Sequence, residues 1–161
     1  MDTIVWMDAP QEKAAVAESI LTRLPDWFGL PESTRHYIED SRALPFAACM
    51  KDGKPAGFAV LRETSPYAAE LYVMGVLPEY HRQGIGTALF RAVKAHAQAQ
   101  GYEFLQVKTV QSGHYEVYDR TNRFYQRMGF CELEVLPLWD EWNPCQVYVM
   151  ALRTPGQSDR L

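Results

Sequence analysis

A strand that runs directly into a glycine-rich helix start is the feature that most restricts this chain. Residues 69–77 read as a strand, and Ile85, Leu89, Val93 and Ala97 recur at helical spacing over 84–100, with Arg91, Lys94 and Gln98 on the opposite face. Between them lies His81-Arg82-Gln83-Gly84-Ile85-Gly86-Thr87. A helix N-terminus carries backbone N–H groups without intrahelical partners and the positive end of the macrodipole. Glycines there remove Cβ atoms that would hold an anion away, Arg82 adds a cation and Thr87 a hydroxyl, so the junction reads as a phosphate or pyrophosphate site. A glycine pair that serves only tight strand–helix packing is the alternative. The segment is neither a Walker loop, which needs GxxxxGK[ST], nor a dinucleotide fingerprint, because Leu89 stands where its third glycine belongs.

The rest of the chain supplies the sheet and helices that such a junction needs. Strands are expected at 3–7, 45–51, 54–63, 69–77, 104–110, 131–136 and 145–152, and helices at about 10–24, 31–42, 84–100 and 118–128. Asp8, Pro10 and Gln11 read as a capped helix start. Asp52-Gly53 reads as a hairpin turn, since both residues tolerate positive φ. In the strand 69–77 strict alternation puts Glu70, Tyr72, Met74 and Val76 on one face. The order β-α-α-β-β-β-α-β-α-β-β predicts an α/β fold with a mixed sheet of six to seven strands and about four helices, as one domain over 1–153 with a loose tail at 154–161.

Charge and cysteine usage narrow the partners. With 16 Lys and Arg against 20 Asp and Glu the net charge is −4, which argues against a nucleic-acid footprint and suits a cationic small partner. Cys49, Cys131 and Cys145 form no CxxC pair, so no metal cluster or disulfide framework is expected, and reduced thiols point to the cytoplasm. Cys131 and Cys145 lie on expected strands and read as core. The first ten residues lack a signal-peptide pattern and no apolar run reaches membrane-spanning length, so no membrane association is expected.

The segment Glu-Tyr-His-Arg-Gln-Gly-Ile-Gly-Thr-Ala-Leu closely resembles the acetyl-CoA pyrophosphate motif of the GNAT N-acetyltransferases, and Arg123-Phe124-Tyr125-Gln126-Arg127-Met128-Gly129-Phe130 resembles their late helix. His81 departs from the usual Gln or Arg, which leaves Arg82 as the pyrophosphate cation, and Tyr118 replaces an asparagine of the family. The resemblance implies a three-layer fold whose sheet is splayed at the cofactor cleft, and acetyl-CoA as cosubstrate. By that resemblance Arg82, Gln83, Gly84, Ile85, Gly86 and Thr87 hold the pyrophosphate. The backbone of Met74 and Val76 bonds the pantetheine arm, with Gly75 keeping that backbone approachable (a bulge is the other reading of Gly75), and Tyr118 takes the asparagine's place.

The same resemblance makes Tyr125 the general acid and Glu70 the general base. Read from the residues alone, Tyr125 is a donor or a core aromatic, with Phe124 the better core candidate. Glu70 is a base, a cation-binding carboxylate or a structural group. Trp27, Phe28, His114 and Trp139 are candidates for lining an acceptor pocket, since aromatics suit a cationic amine. The expected activity is direct acetyl transfer to a primary amine of a small molecule, with no metal. A peptide or protein acceptor, a CoA-sensing module without turnover, and an interaction protein stand as the other hypotheses, and a homodimer is an expectation from resemblance.

Overall fold

The computed structural model describes residues 2–153; the expected loose tail at 154–161 lies outside the described residues. The chain runs β1 (Thr3–Met7), α1 (Pro10–Leu21), α2 (Pro31–Ser41), β2 (Phe46–Lys51), β3 (Lys54–Ser65), β4 (Ala68–Val76), a 3₁₀ turn (Pro78–Tyr80), α3 (Ile85–Ala99), β5 (Phe104–Val110), α4 (Glu116–Met128), β6 (Cys131–Asp140) and β7 (Asn143–Ala151). The element order is the expected one. A seven-stranded sheet in the order β1-β2-β3-β4-β5-β7-β6 forms the middle layer. Ile20, Leu21 and Leu24 of α1 and the following turn pack on one face with Phe46 and Phe58, joined by Tyr37 and Ile38 of α2. Ile85, Leu89, Phe90 and Val93 of α3 and Tyr125 of α4 cover the other face.

Local chemistry explains most of these elements. Asp52 and Gly53 adopt φ of 52° and 77°, as a tight hairpin turn demands. The inward stripe Ile85, Leu89, Val93, Ala97 is buried as its spacing requires, and Gly101 ends the helix region with φ of 88°. Helix α1 starts differently from the sequence expectation: Ala9 is the N-cap, no side chain caps it, and Pro10 occupies the first turn, so Asp8 lies outside the helix. Cys145 is buried, but Cys131 is exposed, because β6 is the sheet edge and almost all of its residues face water. Among the described residues no helix is long and apolar enough to cross a membrane.

The strict alternation expected for β4 fails at one residue. Val60 pairs with Val73 but Leu61 pairs with Leu71, so Tyr72 is an extra residue in the ladder. This bulge resets the phase. Glu70 and Tyr72 face the α2 side, where Arg62 and Tyr37 meet them, whereas Met74 and Val76 pack on the α3 side. Gly75 is not the bulge. A Cβ there would lie 3.0 Å from Leu24 Cδ1 and 3.2 Å from Ile20 Cγ2, so the glycine lets α1 seat on the sheet.

Gly57, on the neighbouring strand, is tighter still: its Cβ would meet the Gly75 carbonyl oxygen at 3.0 Å and Leu89 Cδ1 at 3.1 Å. Gly57→Ala is expected to lower stability by about 1–3 kcal/mol, because backbone cannot yield as a side-chain tip can. Urea unfolding read by tryptophan fluorescence checks this, and a midpoint equal to that of the parent protein counts against it.

Candidate active site

Strands β4 and β5 are parallel neighbours only over Ala68–Phe104, Ala69–Leu105 and Glu70–Gln106. Beyond Glu70 they part, while β5 keeps its ladder to β7 along its whole length. The expected splay is present. It leaves the β5-facing edge of β4 from Leu71 to Val76 without a strand partner, beside the N-terminus of α3.

That N-terminus is bare. Gly84 is the N-cap in a left-handed conformation with φ of 81°, and no side chain caps the helix. The first helical bond runs from Ala88 N–H to the Gly84 carbonyl at 3.0 Å, so the amides of Ile85, Gly86 and Thr87 have no intrahelical acceptor. Arg82 is also left-handed, with φ of 61°, which L side chains seldom adopt. Left-handed residues at 82 and 84 curl successive amides into a concave, anion-receptive turn. The Arg82 side chain is exposed. Gln83 is held by Lys51, whose Nζ donates to Oε1 at 2.5 Å, and by its own donation to the Glu79 carbonyl at 3.1 Å. Lys51 is a second cation at this turn that sequence reasoning missed; its only signal is its place just before the Asp52-Gly53 turn. The Ile85 side chain is core, so only its backbone can serve an anion. A Cβ on Gly86 would touch Phe124 at 3.5 Å and Met74 at 3.8 Å, so these two side chains flank the turn.

His81 fills a different place from the one its position suggests. Its Nε2 donates to the Val76 carbonyl at 2.7 Å, which engages one of the edge groups expected to be free, and the Trp27 ring meets it edge-on at 5.9 Å. Trp27 in turn donates from Nε1 to Thr121 Oγ1 at 3.2 Å, and its carbonyl accepts the Tyr118 hydroxyl at 3.0 Å. Tyr118 therefore ties the α1–α2 loop to α4.

On α4 the buried positions are Asn122 and Tyr125, while Phe124 is half-buried, the reverse of the core assignment expected from spacing. Asn122 donates to the carbonyls of Val110 and Tyr118 at 2.8 and 2.7 Å and accepts the Tyr148 hydroxyl at 2.5 Å. This pins the helix to β5 and β7. Tyr125 sits among Phe124, Phe130 and Tyr148 with ring centres 5.6–6.0 Å apart. Burial, and then Tyr37 and Tyr148, push its phenol well above the ordinary tyrosine range, so it remains a proton donor at neutral and mildly alkaline pH.

Tyr37, Tyr118 and Tyr148 are raised by burial too. Below about pH 10 these phenols are protonated both folded and unfolded, and their contribution to stability is fully present. Above it the unfolded chain releases protons first, so stability falls as pH rises toward the folded values. The urea midpoint is expected to drop between pH 9 and 11, and less steeply in Tyr125→Phe; equal slopes would remove this origin.

Glu70 is 4% exposed and doubly paired. Its Oε2 accepts from Arg62 Nη2 at 2.7 Å and its Oε1 from Lys108 Nζ at 3.0 Å. The Arg62 guanidinium lies 4.1 Å from the Tyr72 ring centre, Tyr72 meets Tyr37 edge-on at 5.2 Å, and Tyr37 meets Phe28 at 5.8 Å. Tyr72 donates its hydroxyl to Asp40, so that carboxylate is more than a solvated helix-face charge. Burial and this bond raise the Tyr72 phenol far above its usual range. Arg62, Lys108, Tyr37 and Tyr72 were not singled out from the sequence. Arg62 was within reach, since it stands opposite Glu70 across the Ser65-Pro66 turn.

Two candidates stay apart from this group. His114 is exposed and only approaches Gln111, at 3.4 Å, and Trp139 is exposed at the far end of the edge strand. Trp27 and Phe28 do reach the cleft, through Thr121 and Tyr37 respectively.

Comparison with known proteins agrees with this geometry. A sequence model of the acetyltransferase (GNAT) family matches residues 12–130. An uncharacterized N-acetyltransferase of Methanocaldococcus jannaschii is 30% identical over 102 residues, which span 58% of this chain and 42% of that protein's length. A crystal structure of a GNAT-family protein from Desulfovibrio desulfuricans superposes with a TM-score of 0.82 at 20% identity, covering 95% of this chain and all of the other. A GNAT-family acetyltransferase from Elizabethkingia anophelis, solved with acetyl-CoA bound, gives 0.68 at 18% identity over 93% and 97% of the two chains.

Proposed function

Because the chain belongs to the GNAT acetyltransferase family, we propose that it is an acetyl-CoA-dependent N-acetyltransferase that modifies a primary amine of a small molecule. The observation that carries this reading is the bare, left-handed N-terminal turn of α3 beside the parting of β4 and β5. The residues present fit a CoA ester. The amides of Ile85, Gly86 and Thr87 and the exposed Arg82 can take a pyrophosphate, with Gln83 and Gly84 shaping the turn. The β4 edge at Met74, which has no strand partner beyond Glu70, can take an extended amide arm, with the Val76 carbonyl already accepting from His81 and Tyr118 on the opposite wall.

When bound, acetyl-CoA supplies a thioester whose carbonyl carbon accepts the amine. Glu70 takes a proton from the incoming ammonium, directly or through water. As the C–N bond forms and the C–S bond breaks, the Tyr125 hydroxyl donates toward the departing sulfur. A backbone N–H of the β4 edge polarises the carbonyl oxygen. The products are the N-acetyl amide, the free thiol and one proton. Transfer is direct in this scheme, since Cys49 and Cys145 are buried in the sheet and Cys131 sits on its outer edge.

A thermal-shift titration with acetyl-CoA, CoA, ATP and NAD side by side tests the reading. Acetyl-CoA at 100 times its Kd is expected to add about 2.7 kcal/mol, and CoA to behave similarly. No shift with either CoA form overturns the proposal.

A further inference from the structure

Two cations share one carboxylate where β4 and β5 part. Arg62 and Lys108 hold the two oxygens of Glu70, yet their side chains remain 40% and 22% exposed. An arginine carries five N–H donors and a lysine three. Among the described residues Glu70 is the only hydrogen-bonding partner of either one. The remaining donors are therefore available at the mouth of the splay. The Arg62 guanidinium also lies over the Tyr72 ring, its Cζ 4.1 Å from the ring centre, which helps fix in place a planar fork of the kind carboxylates match bidentately. Asp40, the other carboxylate next to this group, is exposed to water and takes the Tyr72 hydroxyl, so it compensates little of the charge. A purely cationic acceptor approaching Glu70 would pass between two like charges.

Resting on the acetyl-transfer reading above, we propose that the acceptor amine also carries a carboxylate, as an α-amino acid does, and that Arg62 and Lys108 bind that carboxylate. The two cations place the acid group of the acceptor next to Glu70, which puts the neighbouring ammonium within reach of the group that takes its proton. Phe28, Tyr37 and Tyr72 form the aromatic wall on the same side, suited to an apolar or aromatic side chain. This reverses the sequence expectation of a cationic partner, because overall net charge says little about one strand-end cluster.

The test measures thiol release with acetyl-CoA and matched probes: each of the common L-amino acids, its α-amide, and the corresponding amine without the acid group. At least one amino acid is expected to exceed its α-amide by about tenfold or more in kcat/KM. Arg62→Ala should raise KM for the acid and pull that ratio toward one, Arg62→Lys should restore part of it, and Lys108→Met should lower it less. A merely structural arginine would reduce acid and amide alike. Amides or plain amines acetylated as well as the acids overturn the proposal. So does a protein that binds acetyl-CoA by thermal shift but acetylates no acid in the set. Absence of any shift with acetyl-CoA instead takes down the acetyl-transfer reading itself, which keeps the two failures distinct.

Discussion

Tyr125→Phe is expected to lower kcat for acetyl transfer by about 10²–10⁴-fold, the range a positioned proton donor contributes. The acetyl-CoA thermal shift should be unchanged. The substitution removes one hydroxyl and leaves the ring in its nest of Phe124, Phe130 and Tyr148. That hydroxyl has no hydrogen-bond partner among the described residues, so its loss orphans no protein group. Burial raises the phenol, so it stays a donor throughout the working pH range. The same elevation means that it stabilises charge growing on the sulfur more than it parts with its proton, since a free thiol is the stronger acid. Single-turnover measurement separates the bond-breaking step from product release. A Tyr125→Phe protein that turns over at the parent rate would leave Tyr125 as a core aromatic and nothing more.

What was legible in the residues followed local rules. The stripe Ile85-Leu89-Val93-Ala97 and the turn Asp52-Gly53 each report a short-range constraint, and each appears where its spacing puts it. The bare N-terminus of α3 was readable for the same reason, since glycine at 84 serves a backbone conformation and not a contact. The misses are tertiary. Alternation along β4 assumes an unbroken ladder, but the extra residue at Tyr72 exists only through pairing with β3, and it moves Met74 and Val76 to the face opposite Glu70. Cys131 is apolar enough for a core strand, yet the order β5-β7-β6 puts it at the rim. On α4, Asn122 is buried because it joins Val110 to Tyr148, a demand that helical spacing does not reveal. The candidate site divides likewise: Tyr125, Glu70 and the turn at 82–87 were named from the sequence, and Arg62 faces Glu70 across a hairpin only eight residues away, whereas Lys51 and Lys108 reach Gln83 and Glu70 only when strands distant in sequence are brought side by side.

Glu70→Gln is the sharper test of the cleft, because the proposed mechanism adds proton removal to the ion pairs that Glu70 makes there. As the group that takes the ammonium proton it should be worth about 10²-fold or more in kcat/KM for the acceptor. As the anchor of Arg62 and Lys108 it also contributes charge-assisted bonds, each worth about 1.5–3 kcal/mol when buried, with the lower end apt here because both cations are partly exposed. The two roles separate by pH. The ammonium of a free α-amino acid, with an ionised carboxylate beside it, loses its proton more than about one unit above the 7.7–8.0 of a chain terminus. Above that point it arrives as a free amine and needs no base to uncover its lone pair. The activity deficit of Glu70→Gln is therefore expected to be large at pH 6.5 and to shrink severalfold by about pH 10, where the free amino acid is mostly deprotonated, while the acetyl-CoA thermal shift stays that of the parent. Gln is chosen over Ala because its amide oxygen can still accept from one of the two cations, so the cleft keeps its shape while the negative charge goes. A deficit of equal size at both pH values would assign Glu70 to holding Arg62 and Lys108 in place, and proton removal would then fall to water alone.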